Sequence, residues 1–305
     1  MKFQSRPPSL WIAYRKEICY FFPMRIALAQ TAPVLGDLEN NYDRHLQYIE
    51  NACRNKVDLL VFPELSLTGY TLKDITQEVA LHPHEHPYFQ TFKELSRDIA
   101  LVIGFVEEKQ RGMLYNSAAY FSGGELLHVH RKVFLPTYGM FEEGKFFAQG
   151  KNFRTFTTPF GPSGMMICYD FLHLGAGYLL FAGGAEIIIA ISAAPGRGIS
   201  EHEAYATTHM WELMGEALSR FSTSYVIYCN RVGIEDGKTF AGGSFMYDPA
   251  GQQVVRAPLL EEAFLIQDID LEDLRARRRH RTYKRDDKPE IVLTALQRII
   301  ANHED

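Results

Sequence analysis

The chain of 305 residues carries 32 Lys and Arg side chains against 37 Asp and Glu side chains, a formal net charge of −5 at pH 7. Hydrophobic residues make up 46% of it and charged residues 23%, which excludes disordered, collagen-like and coiled-coil proteins. The excess of acid argues against a dedicated nucleic-acid binder, which normally presents a basic face.

The four cysteines show no CxxC spacing and therefore do not indicate a disulfide framework. We predict a reducing, cytoplasmic location, in which any important cysteine acts as a thiol. The longest apolar stretch, 174–195, contains Glu186 and four glycines, and it is typical of a short helix followed by a strand. We therefore expect neither a membrane nor a nucleic acid as partner.

The first 23 residues differ in composition from the rest of the chain. They are basic, and they lack the apolar core and small-residue cleavage site of a signal peptide. We predict that 1–23 is an appendage, or that it lies upstream of a true start codon at Met24. Residues 24–305 are predicted to form one domain with a C-terminal tail from about residue 271, because no linker or repeat divides them.

From Met24 onward, strand-like and helix-like segments alternate, which predicts a layered α/β or α+β architecture. The continuous apolar run 57–62 is typical of a strand covered on both faces. Glycine pairs and a Pro-Ala-Gly turn predict hairpins around 123–124 and 249–251. The predicted strands are 25–30, 57–62, 101–106, 116–121, 126–134, 165–168, 187–191 and 225–229. The predicted helices are 36–55, 88–99, 177–183 and 204–220.

The sequence contains none of the common catalytic signatures GxSxG, HExxH and GxxxxGK[ST], and no GxGxxG motif between a predicted strand and a predicted helix. Three predicted strands instead carry a chemically useful residue at or near their ends: Glu64, Lys132 and Cys168. Sites in layered α/β proteins collect at strand ends. A carboxylate base, a cation for an oxyanion and a thiol nucleophile would complement one another there.

Each of these residues taken alone has an ordinary structural explanation. A single cysteine at a strand end is usually a packing residue, and a lysine in a strand can extend its ammonium group to solvent. A glutamate after a proline can simply cap a turn. The prediction of a site therefore depends on the three residues together.

The sequence motifs around these three residues are specific. VFPELSLTGY (61–70), HRKVFLPTYGMFEEGKFF (130–147) and MMICYDF (165–171) occur in this order, followed by NRVGIEDGKTFAGGSFMYDPAG (230–251). Together these blocks resemble the nitrilase, or carbon–nitrogen hydrolase, superfamily, and the resemblance extends from Met24 to about residue 268.

The resemblance implies an α/β fold, specifically a four-layer αββα sandwich, which pairs through helices into a homodimer or a larger homo-oligomer. It implies no cofactor and no metal. By the same analogy Glu64 is the general base, Lys132 the cation that meets the oxyanion, and Cys168 the nucleophile. Glu143 matches the second glutamate of the family, and the adjacent Glu142 remains an alternative.

One block departs from the pattern of many family amidases. Residues 170–175 lack the Arg and Glu found there in such enzymes, and with 183–198 they look more like the glutaminase domains of glutamine-dependent NAD synthetases. Since the chain ends at Asp305, before an ATP-binding synthetase domain would fit, we expect a free-standing amidase. It would hydrolyse a small amide with water through a Cys thioester. Alternatives are a glutaminase subunit for a separate synthetase, nitrile hydrolysis, and a catalytically silent scaffold.

Other residues have weaker functional interpretations. His82, His84 and His86 stand next to Pro83 and Pro87, which predicts a polar surface turn rather than a metal site. The basic run 275–281 is expected to be a solvated face or an ion-pair patch between subunits. The backbone N–H of Tyr169 is expected to help bind the oxyanion. The candidates for lining the substrate pocket are Tyr70, Tyr138, Met140, Phe171, His173 and Arg197.

Overall fold

The computed structural model describes residues 23–197 and 205–302. The predicted appendage 1–23 therefore lies almost entirely outside the described residues, as does the first position of the helix predicted over 204–220. Within the described ranges, no helix combines the length and apolar character needed to cross a membrane.

The strands are numbered in chain order as β1 (Met24–Gln30), β2 (Leu59–Val61), β3 (Ala100–Gln110), β4 (Met113–Ser122), β5 (Glu125–Arg131), β6 (Thr155–Thr158), β7 (Gly161–Ile167), β8 (Ile187–Ser192), β9 (Tyr225–Asn230), β10 (Val232–Glu235), β11 (Lys238–Ala241), β12 (Phe245–Tyr247), β13 (Gln253–Arg256) and β14 (Ala263–Ile269). The helices are α1 (Leu38–Arg54), α2 (Pro87–Leu95), α3 (Glu143–Phe146), α4 (Leu174–Ala182), α5 (Ala206–Ser222), α6 (Leu271–His280), α7 (Tyr283–Asp286) and α8 (Pro289–Ala301), with 3-10 helices at Lys73–Gln77 and Cys168–Leu172.

Two six-stranded sheets form the centre of the fold. Their strand orders are β14-β1-β2-β3-β4-β5 and β13-β12-β9-β8-β7-β6. Strands β1, β2 and β3 are parallel to one another, as are β7, β8 and β9, and the remaining neighbours in both sheets are antiparallel. The parallel strands are central, so their carboxyl ends meet at one edge of the sandwich, where ligand sites of α/β folds form.

Burial on both faces of the sheets establishes the layers. Leu59 and Val61 of β2 belong to the apolar cluster that also holds the strands of the second sheet. Leu60 and Phe62 point the other way, into a cluster that includes Phe89 of α2 and the apolar side of α1. On the far side of the second sheet, α4 and α5 cover its outer face. These layers form the predicted αββα sandwich, and the expectation of a strand covered on both faces is confirmed.

The basic run predicted as a solvated face has an internal function at Arg278. This guanidinium group donates to the backbone oxygens of Ala185, Gly184 at 3.2 Å and Thr223 at 2.9 Å. These oxygens lie just beyond the carboxyl ends of α4 and α5, where carbonyl groups lack helical partners and cations are favourable. The prediction for this run is wrong at Arg278, which is 20% exposed and fastens α6 to the sandwich.

The last helix, α8, has no buried residue among its described positions. Its apolar side chains are open to solvent, and so are several on α4 and α5. A large exposed apolar surface is typical of a protein–protein contact. The predicted homodimer or larger assembly therefore stays a prediction, with these residues as its candidate surface: Leu179, Leu213, Phe221, Ile291, Leu293, Leu296, Ile299 and Ile300.

Candidate active site

The three predicted strand-end residues lie at the same edge of the sandwich. Glu64 follows β2 by three residues, and Cys168 directly follows β7. Lys132 was predicted inside a strand over 126–134, but β5 ends at Arg131 and Lys132 is the first residue beyond it. The backbone N–H of Lys132 donates to the carbonyl of Asn116 at 2.9 Å, which holds the chain just beyond β5 against β4.

The ammonium group of Lys132 joins two glutamates. The lysine is fully buried, and its Nζ donates to Oε1 of Glu64 and to Oε1 of Glu143, both at 2.7 Å. Burial alone would lower the pKa of Lys132, but the charges of Glu143 and Glu64 outweigh it and raise the pKa above its usual value. Lys132 is therefore a permanent cation between two carboxylates.

Glu64 is held by neutral groups as well as by Lys132. Its Oε1 accepts a hydrogen bond from Asn116 Nδ2, and its Oε2 accepts one from the backbone N–H of Ala193, both at 2.7 Å. The carboxylate is fully buried. Donors from β4 and from the segment after β8 thus fix both oxygens, so that Glu64 has one orientation in the site.

Gly104 makes room for the turn that carries Glu64. A Cβ atom at this position would lie 2.4 Å from the carbonyl oxygen of Pro63 and 2.5 Å from the backbone nitrogen of Leu65. We expect Gly104→Ala to push this turn off β3, to lower the free energy of unfolding by about 1–3 kcal/mol, and to reduce turnover because Glu64 moves.

Urea unfolding and activity assays of Gly104→Ala measure both effects. Gly175→Ala is the matched control, since a Cβ atom at Gly175 meets no atom within 4 Å. A Gly104→Ala protein as stable and as active as the control would contradict the assigned packing.

Cys168 directly follows β7 and is the first residue of the 3-10 helix Cys168–Leu172, where the backbone is strained. Its φ is +46°, a left-handed value that costs a residue with a side chain of this kind about 1–3 kcal/mol. The residue is buried. Burial and the charge of Glu64 raise the pKa of the Cys168 thiol and outweigh the opposite effect of Lys132. The resting group is therefore the thiol rather than the thiolate.

Asp170 connects the Cys168 turn to the Lys132 segment. One oxygen accepts from the backbone N–H groups of Val133 at 3.1 Å and Phe134 at 2.9 Å. The other accepts from the backbone N–H of Ile167 at 3.1 Å and from Nε2 of His130 at 2.9 Å. A buried carboxylate with four donors fixes the distance between the two segments. No sequence pattern singles out either side chain of the Asp170–His130 pair.

The structure distinguishes the two adjacent glutamates. Glu143 is 4% exposed and accepts both from Lys132 and from the hydroxyl group of Tyr70, the latter at 2.5 Å. Its other oxygen, Oε2, is buried without a partner among the described residues. Burial, reinforced by Glu64 and opposed by Lys132, raises the pKa of Glu143 to about 7. Glu142 is exposed and pairs with Lys145 at the surface.

Tyr70 contacts the cluster of Lys132, Glu64 and Glu143 through Glu143. Its hydroxyl group donates a hydrogen bond to Glu143, whereas the sequence motif predicts that Tyr70 lines the pocket. Glu235 accepts from the backbone N–H groups of Tyr70 at 3.0 Å and Thr71 at 2.6 Å, and the buried guanidinium group of Arg231 pairs with Glu235 at 2.6 Å. This buried ion pair positions the Tyr70 backbone and, through it, the hydroxyl group on Glu143.

A cavity opens beside Cys168, and its wall is mostly aromatic and apolar. Of the predicted lining residues, Tyr138 and Arg197 belong to it, and so does Tyr169, which was expected to bind the oxyanion. His173 instead stacks on Phe134, with ring centroids 3.5 Å apart. The described lining is Pro136, Tyr138, Phe141, Cys168, Tyr169, Leu172, Ala194, Pro195, Arg197, Thr207, Met210 and Trp211.

The two other predicted lining residues, Phe171 and Met140, are not in this wall. Phe171 is buried in the core and stacks on Trp211, with ring centroids 6.0 Å apart. The lining residues that no sequence motif indicated include three from α5, which lies between the recognised blocks 165–171 and 230–251 and belongs to neither.

The architecture and the cluster define a class: an αββα sandwich with a cysteine, a lysine and two glutamates gathered at its strand ends. The family model for carbon-nitrogen hydrolases matches residues 25–279. The chain belongs to this family.

The proteins to which this chain is similar include both synthetases and amidases. A glutamine-dependent NAD(+) synthetase of Acinetobacter baylyi is 31% identical over 82% of this chain, but the chain spans only 45% of that protein. An (R)-stereoselective amidase of a Pseudomonas species is 32% identical over 86% of this chain and 91% of its own length. The crystal structure of a carbon-nitrogen hydrolase from Helicobacter pylori superposes with a TM-score of 0.80, 25% identity, and coverage of 90% of this chain and 98% of that one.

Proposed function

We propose that the chain is a thiol-dependent amidohydrolase that cleaves the non-peptide C–N bond of a small amide through a thioester on Cys168. The observation that carries this proposal is the fully buried Lys132 ammonium group, bonded to both Glu64 and Glu143 next to that thiol. Such a group is placed for chemistry that develops negative charge on an oxygen. Membership of the carbon-nitrogen hydrolase family supports the same reaction type.

The first half of the reaction forms the thioester. Cys168 begins as a thiol, so Glu64 takes its proton while Sγ attacks the amide carbon. Negative charge develops on the amide oxygen and is met by the Lys132 ammonium group and by the backbone N–H of Tyr169, the second residue of the 3-10 helix that begins at Cys168. Glu64 then gives its proton to the amine nitrogen, the C–N bond breaks, and the amine or ammonia leaves.

The second half consumes water. Glu64, again a carboxylate, takes a proton from a water molecule whose oxygen attacks the thioester carbon. The C–S bond breaks, Glu64 returns the proton to Sγ, and a carboxylic acid leaves. Glu143 holds the reacting nitrogen or water through its unpartnered Oε2. No cofactor takes part in this scheme.

The wall of the cavity supports a neutral or apolar acyl group. Tyr138, Phe141 and Trp211 contribute aromatic surface. The guanidinium group of Arg197 lies over the Phe141 ring, 5.0 Å from its centroid, and is the charged group of the described lining. An acyl group of this kind would exchange water for aromatic contact as it binds.

Trapping the acyl group tests the proposal directly. The protein is incubated with a panel of small amides and with a metabolite extract, quenched in acid, and the Cys168 peptide is analysed by mass spectrometry. We expect a mass increase equal to an acyl group on Cys168, and its size identifies the acyl half of the substrate. Release of ammonia or amine without any adduct, even in rapid-quench samples, would contradict a thioester mechanism.

A change at Tyr70 should alter the pH dependence of turnover. The Tyr70 hydroxyl group lowers the pKa of Glu143, so Tyr70→Phe should raise that pKa above its value of about 7. Because Glu143 acts as a carboxylate here, the acidic limb of kcat/KM should move to higher pH. Tyr178→Phe removes a comparable bond, 3.0 Å to Asp287 on the surface, and should leave the profile unchanged. Coincident profiles for the wild type and Tyr70→Phe would contradict this function of Glu143.

A second candidate function is glutamine hydrolysis that supplies ammonia to a separate synthetase. The similarity to glutamine-dependent NAD(+) synthetases, of which this chain spans less than half, favours it. Glutaminase activity that rises when a synthetase partner is added would support this candidate. Hydrolysis of amides unrelated to glutamine, with no response to a partner, would support the free-standing amidase. Either activity counts against a silent scaffold, and assays with nitriles test the remaining alternative.

A further inference from the structure

A second cavity lies away from the Cys168 pocket, on the side of the sandwich formed by β4 and β5. It has a volume of about 480 Å³, within the range of roughly 300–1,000 Å³ that small-molecule sites occupy. The hairpin end of β3 and β4, strand β5 and the loop 149–155 enclose it. Its described lining is Lys109, Gln110, Met113, Tyr115, His128, Val129, His130, Arg131, Gln149, Gly150, Lys151, Asn152, Arg154 and Thr155.

The charge of this groove is opposite to that of the chain. Its lining holds four Lys or Arg side chains and no Asp or Glu among the residues that the structure describes, although the whole chain has a net charge of −5. Lys109, Lys151 and Arg154 are exposed and form no ion pair with another described residue. Cations gathered without counter-ions repel one another, so their arrangement is favourable when an anion lies between them.

Arg131 forms the base of the groove and is held in place. Its Nη2 pairs with the buried Glu107, whose other oxygen accepts from Ser117 Oγ at 2.7 Å. The guanidinium group also lies over the Tyr115 ring, 5.2 Å from its centroid. The Arg131 side chain is 27% exposed and lines the groove. A fixed guanidinium group that partly faces a cavity is suited to binding a phosphate oxygen.

The remaining wall is rigid and carries no opposing charge. His128 stacks on Phe156, with ring centroids 4.4 Å apart. Burial, followed by the electrostatic effects of His130, Arg154 and Arg131, lowers the pKa of His128 to about 4, so the His128 imidazole is neutral near pH 7. Gly150 packs directly on the backbone of Arg131, because a Cβ atom there would lie 2.0 Å from its carbonyl oxygen. The loop that carries Lys151 and Arg154 is thereby anchored at one end.

From these contacts we propose that the groove is a binding site for a small metabolite that carries two or more phosphate groups. Arg131 binds one phosphate at the base, while Lys109, Lys151 and Arg154 bind the phosphates nearer the entrance. The volume of about 480 Å³ fits a small molecule. The site is separate from the Cys168 pocket, so binding here does not depend on the proposed hydrolysis.

Calorimetric titration of the full chain with inorganic triphosphate and with ATP tests the proposal. At low ionic strength we expect one saturable site per chain for at least one of these probes, with affinity that falls as salt is added. Lys151→Glu/Arg154→Glu should weaken binding about tenfold or more, as expected for the loss of two charge-assisted contacts. Both side chains are exposed, so the variant keeps the packing of the fold.

A matched variant separates a built site from general attraction. Lys288→Glu/Arg298→Glu makes the same change in net charge at exposed positions flanking and within α8, and it should bind triphosphate as the wild type does. Equal weakening in both double variants, or no binding of either probe to the wild type, would overturn the proposal. A short single-stranded oligonucleotide that binds more tightly than triphosphate, and loses affinity in Lys151→Glu/Arg154→Glu, would assign the groove to nucleic acid instead and overturn it as well.

Discussion

Replacing Cys168 by Ala should lower turnover by a factor of about 10⁴ or more, because a nucleophile and the base that activates it act as one unit. The fold should persist. The thiol is small, and its loss should change the free energy of unfolding by about 1 kcal/mol. Steady-state turnover with the amide identified from the trapped acyl group, together with urea unfolding, measures the two quantities on the same preparation.

The second buried cysteine provides the control. Cys229 is also fully shielded from solvent, and its Sγ lies 3.3 Å from the carbonyl oxygen of Val61, within the apolar core. Cys229→Ala should therefore cost stability without removing turnover, the reverse of Cys168→Ala. If both variants keep wild-type turnover, the proposed mechanism is wrong, whatever the fold of the chain.

The parts of the site that the sequence predicted are those carried by local patterns. A continuous apolar run followed by Pro63-Glu64 indicates a buried strand with a carboxylate just beyond its end, and Glu64 lies three residues after β2. Cys168 likewise follows the apolar end of β7. Such patterns span only a few residues, so they can be recognised without knowledge of the tertiary contacts.

The parts that the sequence did not predict depend on contacts between distant segments. Asn116 and Ala193 fix Glu64 from positions 52 and 129 residues away. No short pattern marks an asparagine in a strand or a backbone N–H after a strand as a partner of one particular carboxylate. Trp211 of α5 reaches the cavity for the same reason, through the packing of a helix on the second sheet.

The choice between the two adjacent glutamates was similarly open in the sequence. Glu142 and Glu143 have the same chemistry and successive positions, and α3 begins between them. The path of the chain into this four-residue helix places the Glu143 side chain next to Lys132 and the Glu142 side chain in solvent. Which of two successive side chains faces the site is a tertiary property, because it depends on where the preceding loop crosses the strand ends.

Removing the Lys132 cation should have the largest effect on stability of any single change in the site. Lys132→Met keeps the length of the side chain but leaves the buried carboxylates of Glu64 and Glu143 without their shared cation. Breaking a buried ion pair by deleting one partner costs about 3–5 kcal/mol, and the oxyanion loses its cation, so turnover should fall by about 10³-fold or more.

The sign of the pH dependence follows from the pKa shifts. Lys132 lowers the pKa of Glu143, so in Lys132→Met this pKa should rise above about 7 and further from its unfolded value near 4.5. A carboxyl group whose folded pKa is raised contributes stability that is present at low pH and lost as pH rises. The variant should therefore be closest to the wild type near pH 5 and furthest from it near pH 8, as measured by urea unfolding at several pH values. Lys145→Met, which breaks the exposed pair with Glu142, should show no such dependence. A Lys132→Met protein whose deficit in stability is the same at all pH values would show that Lys132 does not lower the pKa of Glu143.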